Sequence, residues 1–325
     1  MMRSRVAIAA ILLVASPAGL FAQTLRREGS ISLPAGVSAA PPAALSGNAG
    51  VVAAICSDDV VREWALPSGE LVHTLNTKAD PTTGLQFSND GRLLAIAAKT
   101  GTIKVWDVVS WKVQQEFSVS APAYVLAISP DNQLLAAVTD YDVQVWELSN
   151  QKRLATLHSP LDRSNSVAFS PDGALLASAD GDTAIRVYDA RTGILRSTAS
   201  DLLLESLALD FSRDGKSLFA GGADKTISII DSATGKIRDA LAKQAGTLRG
   251  LVASPDGKQI AAIYNLPNRF DDANIGVVLL WDLRTRTVRA RIEKPGVSVV
   301  GWGFAGEHLL LIGNSGRELS IWSVQ

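Results

Sequence analysis

The stretch Phe169-Ser-Pro-Asp-Gly173, followed by Ile185-Arg-Val-Tyr-Asp189, decides how this chain is read. Ser-Pro-Asp-Gly is turn chemistry: Pro fixes φ, the Asp carboxylate bonds nearby main chain, and Gly accepts positive φ. A strand therefore ends at Phe169 and another begins after Gly173. Ala174-Leu-Leu-Ala-Ser178 is apolar or small throughout, as in a strand covered on both faces. Ile185-Arg-Val-Tyr-Asp189 alternates, so Ile185 and Val187 point one way and Arg186 and Tyr188 the other. The spacing predicts four strands, Ser166–Phe169, Leu175–Ala179, Ile185–Asp189 and Ile194–Ala199, the last two joined by Asp189-Ala-Arg-Thr-Gly193.

Working outward, the same unit recurs along the chain. The third-strand motif appears as Val61-Arg-Glu-Trp64, Ile103-Lys-Val-Trp-Asp107, Val143-Gln-Val-Trp-Glu147, Ile227-Ser-Ile-Ile-Asp231, Val278-Leu-Leu-Trp-Asp282 and Leu319-Ser-Ile-Trp322. Its aromatic slot falls at 64, 106, 146, 188, 230, 281 and 322, at intervals of 42, 40, 42, 42, 51 and 41 residues. The turn motif precedes it as Phe87-Ser-Asn-Asp-Gly91, Ile128-Ser-Pro-Asp-Asn132, Phe211-Ser-Arg-Asp-Gly215 and Ala253-Ser-Pro-Asp-Gly257, with degenerate copies at Leu45 and Phe304. No segment carries a sustained 3.6-residue period. A fixed period of this length marks a repeat architecture in which neighbouring units bury one another's faces.

Seven copies of strand, Ser-Pro-Asp-Gly, apolar strand and Ile-Arg-Val-Trp-Asp resemble the WD40-repeat family over about residues 24–325. The resemblance implies an all-β, seven-bladed β-propeller of four-stranded antiparallel blades around a central channel. The Gly-His dipeptide usual in that family is missing from every copy, so its buried Trp-Ser/Thr-His-Asp network cannot form in full. The family's aspartate, six residues before the aromatic slot, persists as Asp58, Asp140, Asp182 and Asp224, which are expected to cap the turn before the third strand. The fifth copy leans toward the related YVTN-type propeller repeat. Glu318–Gln325 reads as a third strand with no fourth after it. Leu25-Arg-Arg-Glu-Gly-Ser-Ile-Ser-Leu33 resembles an outer strand, so residues 24–33 are expected to pair with 319–324 and close the ring.

The first segment reads differently. Arg3 and Arg5 precede the apolar run Val6–Val14, then Ser16, Pro17, Ala18 and Gly19, and Leu20-Phe-Ala22. This is the pattern of a secretory signal peptide, 1–22, ahead of a propeller at 23–325. The expected product is periplasmic or secreted, without an integral membrane segment. Apolar residues make up 47% of the chain and charged residues 19%, which excludes a disordered chain. With 31 basic and 32 acidic side chains, nothing points to nucleic acid. One cysteine, Cys56, excludes a disulfide framework within one chain and reads as a core residue. His73, His158 and His308 share no metal-ligand spacing and are expected to be exposed.

No catalytic constellation stands out, and no cofactor or metal is expected. Gly301-Trp-Gly-Phe-Ala-Gly306 matches a dinucleotide-loop string but lacks a following helix. The slot tryptophans are expected to pack between blades, whereas Trp302 is placed to approach the channel and Trp111 lies off the slot. The strongest irregularity is length. Asp256 to Trp281 spans 25 residues, against 15–16 in the other copies that keep the turn motif. The excess, Asn265-Leu-Pro-Asn-Arg-Phe-Asp-Asp-Ala-Asn274, falls between the second and third strands of blade six. In the WD40 family that connection lies on the top rim. Candidate partner-binding residues there are Leu266, Arg269, Phe270, Asp271 and Asp272, joined by Arg163, Glu205 and Arg249 from outer-to-inner connections and inner-strand starts. Asp271, Asp272 and Asn274 also offer oxygen donors to calcium, three being few for such a site. The reading is a monomeric, non-enzymatic scaffold for an unknown protein partner. The alternative is a lactonase- or quinoprotein-like propeller acting through its channel, with Asn165, Glu205 and Arg249 as polar groups on the inner strands.

Overall fold

The computed structural model describes residues 25–46, 50–66, 68–140, 142–158, 164–200, 202, 206–266, 275–293, 298–305, 308–314 and 318–324. The chain forms seven four-stranded antiparallel sheets, the blades of a propeller. Blade one runs from inner to outer strand as Ala39–Leu45, Val51–Cys56, Val60–Ala65 and Leu71–Asn76. Blade two is Thr82–Phe87, Leu93–Ala98, Thr102–Asp107 and Lys112–Ser118. Blade three is Val125–Ile128, Leu134–Val138, Asp142–Glu147 and Lys152–His158. Blade four is Ser164–Phe169, Leu175–Asp180, Ile185–Asp189 and Leu195–Ala199. The predicted strands of that unit are therefore present, with ends shifted by a residue or two. Blade five is Ser206–Phe211, Ser217–Gly222, Ile227–Asp231 and Ile237–Leu241. Blade six is Thr247–Ala253, Gln259–Leu266, Ile275–Asp282 and Thr287–Glu293. Blade seven takes Ser298–Ala305, His308–Asn314 and Glu318–Val324, and its outer strand is Leu25–Ser32.

That last pairing closes the ring as the sequence predicted. Leu25 pairs with Val324 and Ser32 with Glu318, with one irregularity at Arg27/Gly29. The edge that blade seven would otherwise expose is thereby covered.

The turn motif works as its chemistry requires. In blade four the Ser170 hydroxyl donates to Asp172 at 2.5 Å and accepts from the N–H of Leu175. Asp172 also accepts from the N–H of Ala174 at 3.0 Å. Blades two, three, five and six repeat this arrangement through Ser88–Asp90, Ser129–Asp131, Ser212–Asp214 and Ser254–Asp256. The fourth position needs positive φ and is Gly173 at 71°, or Asn132 at 57° in blade three.

The core lies between blades. The aromatic-slot residue packs into the junction with the preceding blade: Trp64 against blade seven, Trp146 against blade two, Trp281 against blade five. The residue before it points to the following blade, and Val105, Val145, Val187, Ile229, Leu280 and Ile321 fill those junctions. Blade one places Glu63 in this position instead.

Candidate functional site

The meander puts the second-to-third turns and the blade-to-blade crossings on one face, called the upper face here. In blade one the Arg62 guanidinium donates to both oxygens of Asp58, at 2.7 and 2.6 Å. In blade four Arg186 donates to both oxygens of Asp182, at 3.0 and 2.5 Å, and to Asp180 at 2.5 Å. Asp180 is 1% exposed and also accepts from the Ser164 hydroxyl at 2.6 Å. The hydrogen-bonded arginines hold Asp58 and Asp182 below the ordinary carboxylate range. Asp182 and Asp224 also accept from the N–H groups of Ala184 and Thr226, both at 3.2 Å. Asp140 is exposed, and its turn is closed by Thr139, whose hydroxyl donates to Asp142 at 2.8 Å. Four aspartates that look alike in sequence therefore have different environments.

Among the predicted rim residues, Arg249 is exposed on the inner strand of blade six. Leu266, read as part of the insertion, ends the second strand and pairs with Ile275. Asn265 pairs with Gly276, so part of the extra length goes into two eight-residue strands rather than loop. Both strand ends open on the upper face. Arg163, Glu205, Arg269, Phe270, Asp271 and Asp272 lie outside the described residues, as does Asn274.

Polar groups on the inner strands are largely tied to their neighbours. The Asn165 amide donates to the carbonyl of Ser206 at 3.2 Å, bridging blades four and five. Asp210 accepts from the N–H groups of Phe211 and Ala253, at 2.8 and 2.9 Å, bridging blades five and six. Burial pushes its carboxyl up to about 6. Trp302 lies against Gly250, where an added Cβ would meet ring atom Cζ2 at 2.1 Å. Its ring thus packs on blade six at a position only glycine fits. Among the described residues, no three His, Cys, Asp or Glu side chains gather to hold a metal ion. No described helix is long and apolar enough to cross a membrane.

Two features of the blade one–two junction differ from the sequence reading. His73 is half-buried, because the Trp111 ring of blade two stacks on it at 3.6 Å and 11°. Burial lowers its pKa. Its stacking partner comes from a turn far along the chain, so no local pattern announced the contact. His158 is exposed as expected, and the side chain of His308 lies outside the described residues. Cys56 is buried at the end of a core strand. The second feature is Glu63, 2% exposed, whose Oε1 has no hydrogen-bond partner among the described residues. Ala53 and His73 flank it on the adjacent strands. Burial pushes its carboxyl up to about 7. Aligning the residues that precede the slot would have revealed it, since the other six are Val, Ile or Leu.

The model of the "WD domain, G-beta repeat" family matches residues 69–107, 151–189 and 204–231. Each match ends just after the aromatic slot and takes in the first three strands of a blade. The chain is a seven-bladed β-propeller that carries WD40-type repeats. A stretch of 124 residues is 36% identical to an uncharacterized WD repeat-containing protein of Synechocystis sp., covering 37% of this chain and 35% of that one. A stretch of 108 residues is 32% identical to Protein groucho of Drosophila melanogaster, covering 32% of this chain and 15% of that one. The matched stretches thus span about a third of one relative and less than a sixth of the other.

Proposed function

We propose that this WD40 propeller is an exported scaffold that binds a partner protein through its upper rim. The observation that carries the reading is the lengthened connection of blade six. It leaves and rejoins the ring at Leu266 and Ile275, on the face that also presents Arg249. Insertions confined to one repeat map to loops, often on a binding face. The Arg-locked turns of blades one and four give that face a fixed framework, and recognition by loops on a rigid ring needs no moving part. The segment 1–22, with its two arginines, short apolar run and small-residue end, supports export.

The test is crosslinking capture from cell envelopes with the wild-type chain and with a variant carrying Asp-Gly in place of residues 267–274. The expected result is a partner held by the wild type and lost in the variant, at equal melting temperature. Equal capture by both would refute rim binding.

A further inference from the structure

Every outer strand of the ring is a sheet edge, with main-chain N–H and C=O groups facing outward. Six of the seven carry basic side chains, including Arg26, Lys112, Lys152, Arg196, Arg238 and Arg289. Charge on an edge deters the addition of another strand. The outer strand of blade one, Leu71-Val-His-Thr-Leu-Asn76, has no Lys, Arg, Asp or Glu. Leu71 and Val72 are 50% and 49% exposed. Its one titratable side chain, His73, is covered by Trp111. Trp111 has φ 49°, in a turn position held by Gly69, Gly193 and Gly235 in blades one, four and five and by Gln151 and Arg286 in blades three and six. What sets Trp111 apart from these is its ring, which lies stacked on His73 of the blade-one edge. In the same turn Val109 is 89% exposed.

We propose that the outer strand of blade one is a docking edge for an extended, uncharged segment of a partner protein, which joins the sheet as a fifth strand. Main-chain hydrogen bonds supply the pairing, and Leu71, Val72 and the neighbouring Val109 supply apolar contact for alternate side chains. A six-residue edge suits such a segment. It is too short to form the roughly 1,200–2,000 Å² interface that a stable pair of propellers would need. This site is on the perimeter, away from the upper rim, and stands or falls independently of the rim reading.

The test uses the full chain and the synthetic peptide Thr-Ile-Thr-Val-Thr-Ile-Thr, with amide hydrogen exchange read by mass spectrometry. Saturating peptide is expected to slow exchange about tenfold in 71–76 and in no other outer strand. Leu71→Lys and, separately, Val72→Lys should each weaken binding about tenfold at unchanged melting temperature. Ile237→Lys, on an edge that is already charged, should leave binding unchanged. Protection spread evenly over all the outer strands would overturn the proposal, as would full-strength binding by both lysine variants. So would sedimentation showing that wild-type chains pair with each other through this edge and exclude the peptide.

Discussion

Blades one and four start from the same device and handle buried acid in opposite ways. Both carry an aspartate four residues before an arginine, Asp58–Arg62 and Asp182–Arg186, with each guanidinium gripping its carboxylate from the third strand. Six residues before the arginine, blade four adds Asp180 where blade one has Cys56. Asp180 is almost wholly buried, yet Arg186 and Ser164 meet it. Blade one puts its buried acid one residue after Arg62, on the opposite face of the strand, where the guanidinium cannot serve it. Glu63 therefore enters the blade one–two junction without a cation among the described residues. The difference teaches that strand alternation, more than the presence of an arginine, decides whether a buried carboxylate is satisfied.

The comparison can be broken most forcefully in blade four. Arg186→Met should cost about 3–5 kcal/mol of unfolding free energy, because it strands Asp180 in the interior. Urea unfolding at pH 7 measures it, and a loss under about 1 kcal/mol would show that the buried pair is not the anchor described.

Next in size is the pH dependence of blade one. Glu63 has an ordinary carboxylate pKa when unfolded and is pushed up to about 7 when folded. A raised folded value gives stability that is present at acid pH and lost as pH rises through the folded value. Between roughly pH 4.5 and 7 the wild type should lose about 3 kcal/mol on this account. Asp210, pushed up to about 6, adds to the same slope. Glu63→Gln removes the Glu63 share alone, so the wild-type and variant curves should diverge with pH. Parallel curves would contradict the assignment.

Arg62→Met is a milder version of the first change, since Asp58 keeps access to water. The expected loss is about 1–2 kcal/mol, and a loss equal to that of Arg186→Met would erase the distinction between the blades. The smallest effect is expected from Trp111→Gly. Relief of the positive-φ strain offsets the lost stack on His73, leaving stability within about 1 kcal/mol. A larger loss would mean that the stack holds the two blades together.

Much of this architecture is legible in the amino-acid sequence. The repeat, its turn serines and aspartates, the slot aromatics and the closing strand all depend on local chemistry repeated at a fixed period. Likeness to the other outer strands marks residues 24–33 as one of them, and the strand Leu25–Ser32 is found there although its partner lies at the far end of the chain. Contacts that the repeat does not impose were harder to read. Nothing near His73 in sequence points to Trp111, and nothing near Leu266 shows that the insertion begins by lengthening a strand. The turn aspartates separate only through the residue four places later, which is arginine after Asp58 and Asp182, Gln144 after Asp140 and Ser228 after Asp224. Of the rim candidates, Arg249 alone has its side chain among the described residues, so the rim reading rests on the ends of the insertion and the fixed turns around it.

Blade one is where this ring departs from its own repeat, in a buried acid and in an uncharged edge. The most direct test of that account is the unfolding free energy of wild type and Glu63→Leu at pH 8, leucine being the residue that blade six holds at this position as Leu280. The account predicts that the variant is more stable by about 1–4 kcal/mol with the same fold. A variant less stable than wild type at pH 8 would mean that Glu63 is satisfied where it stands, and the contrast between the two blades would fail.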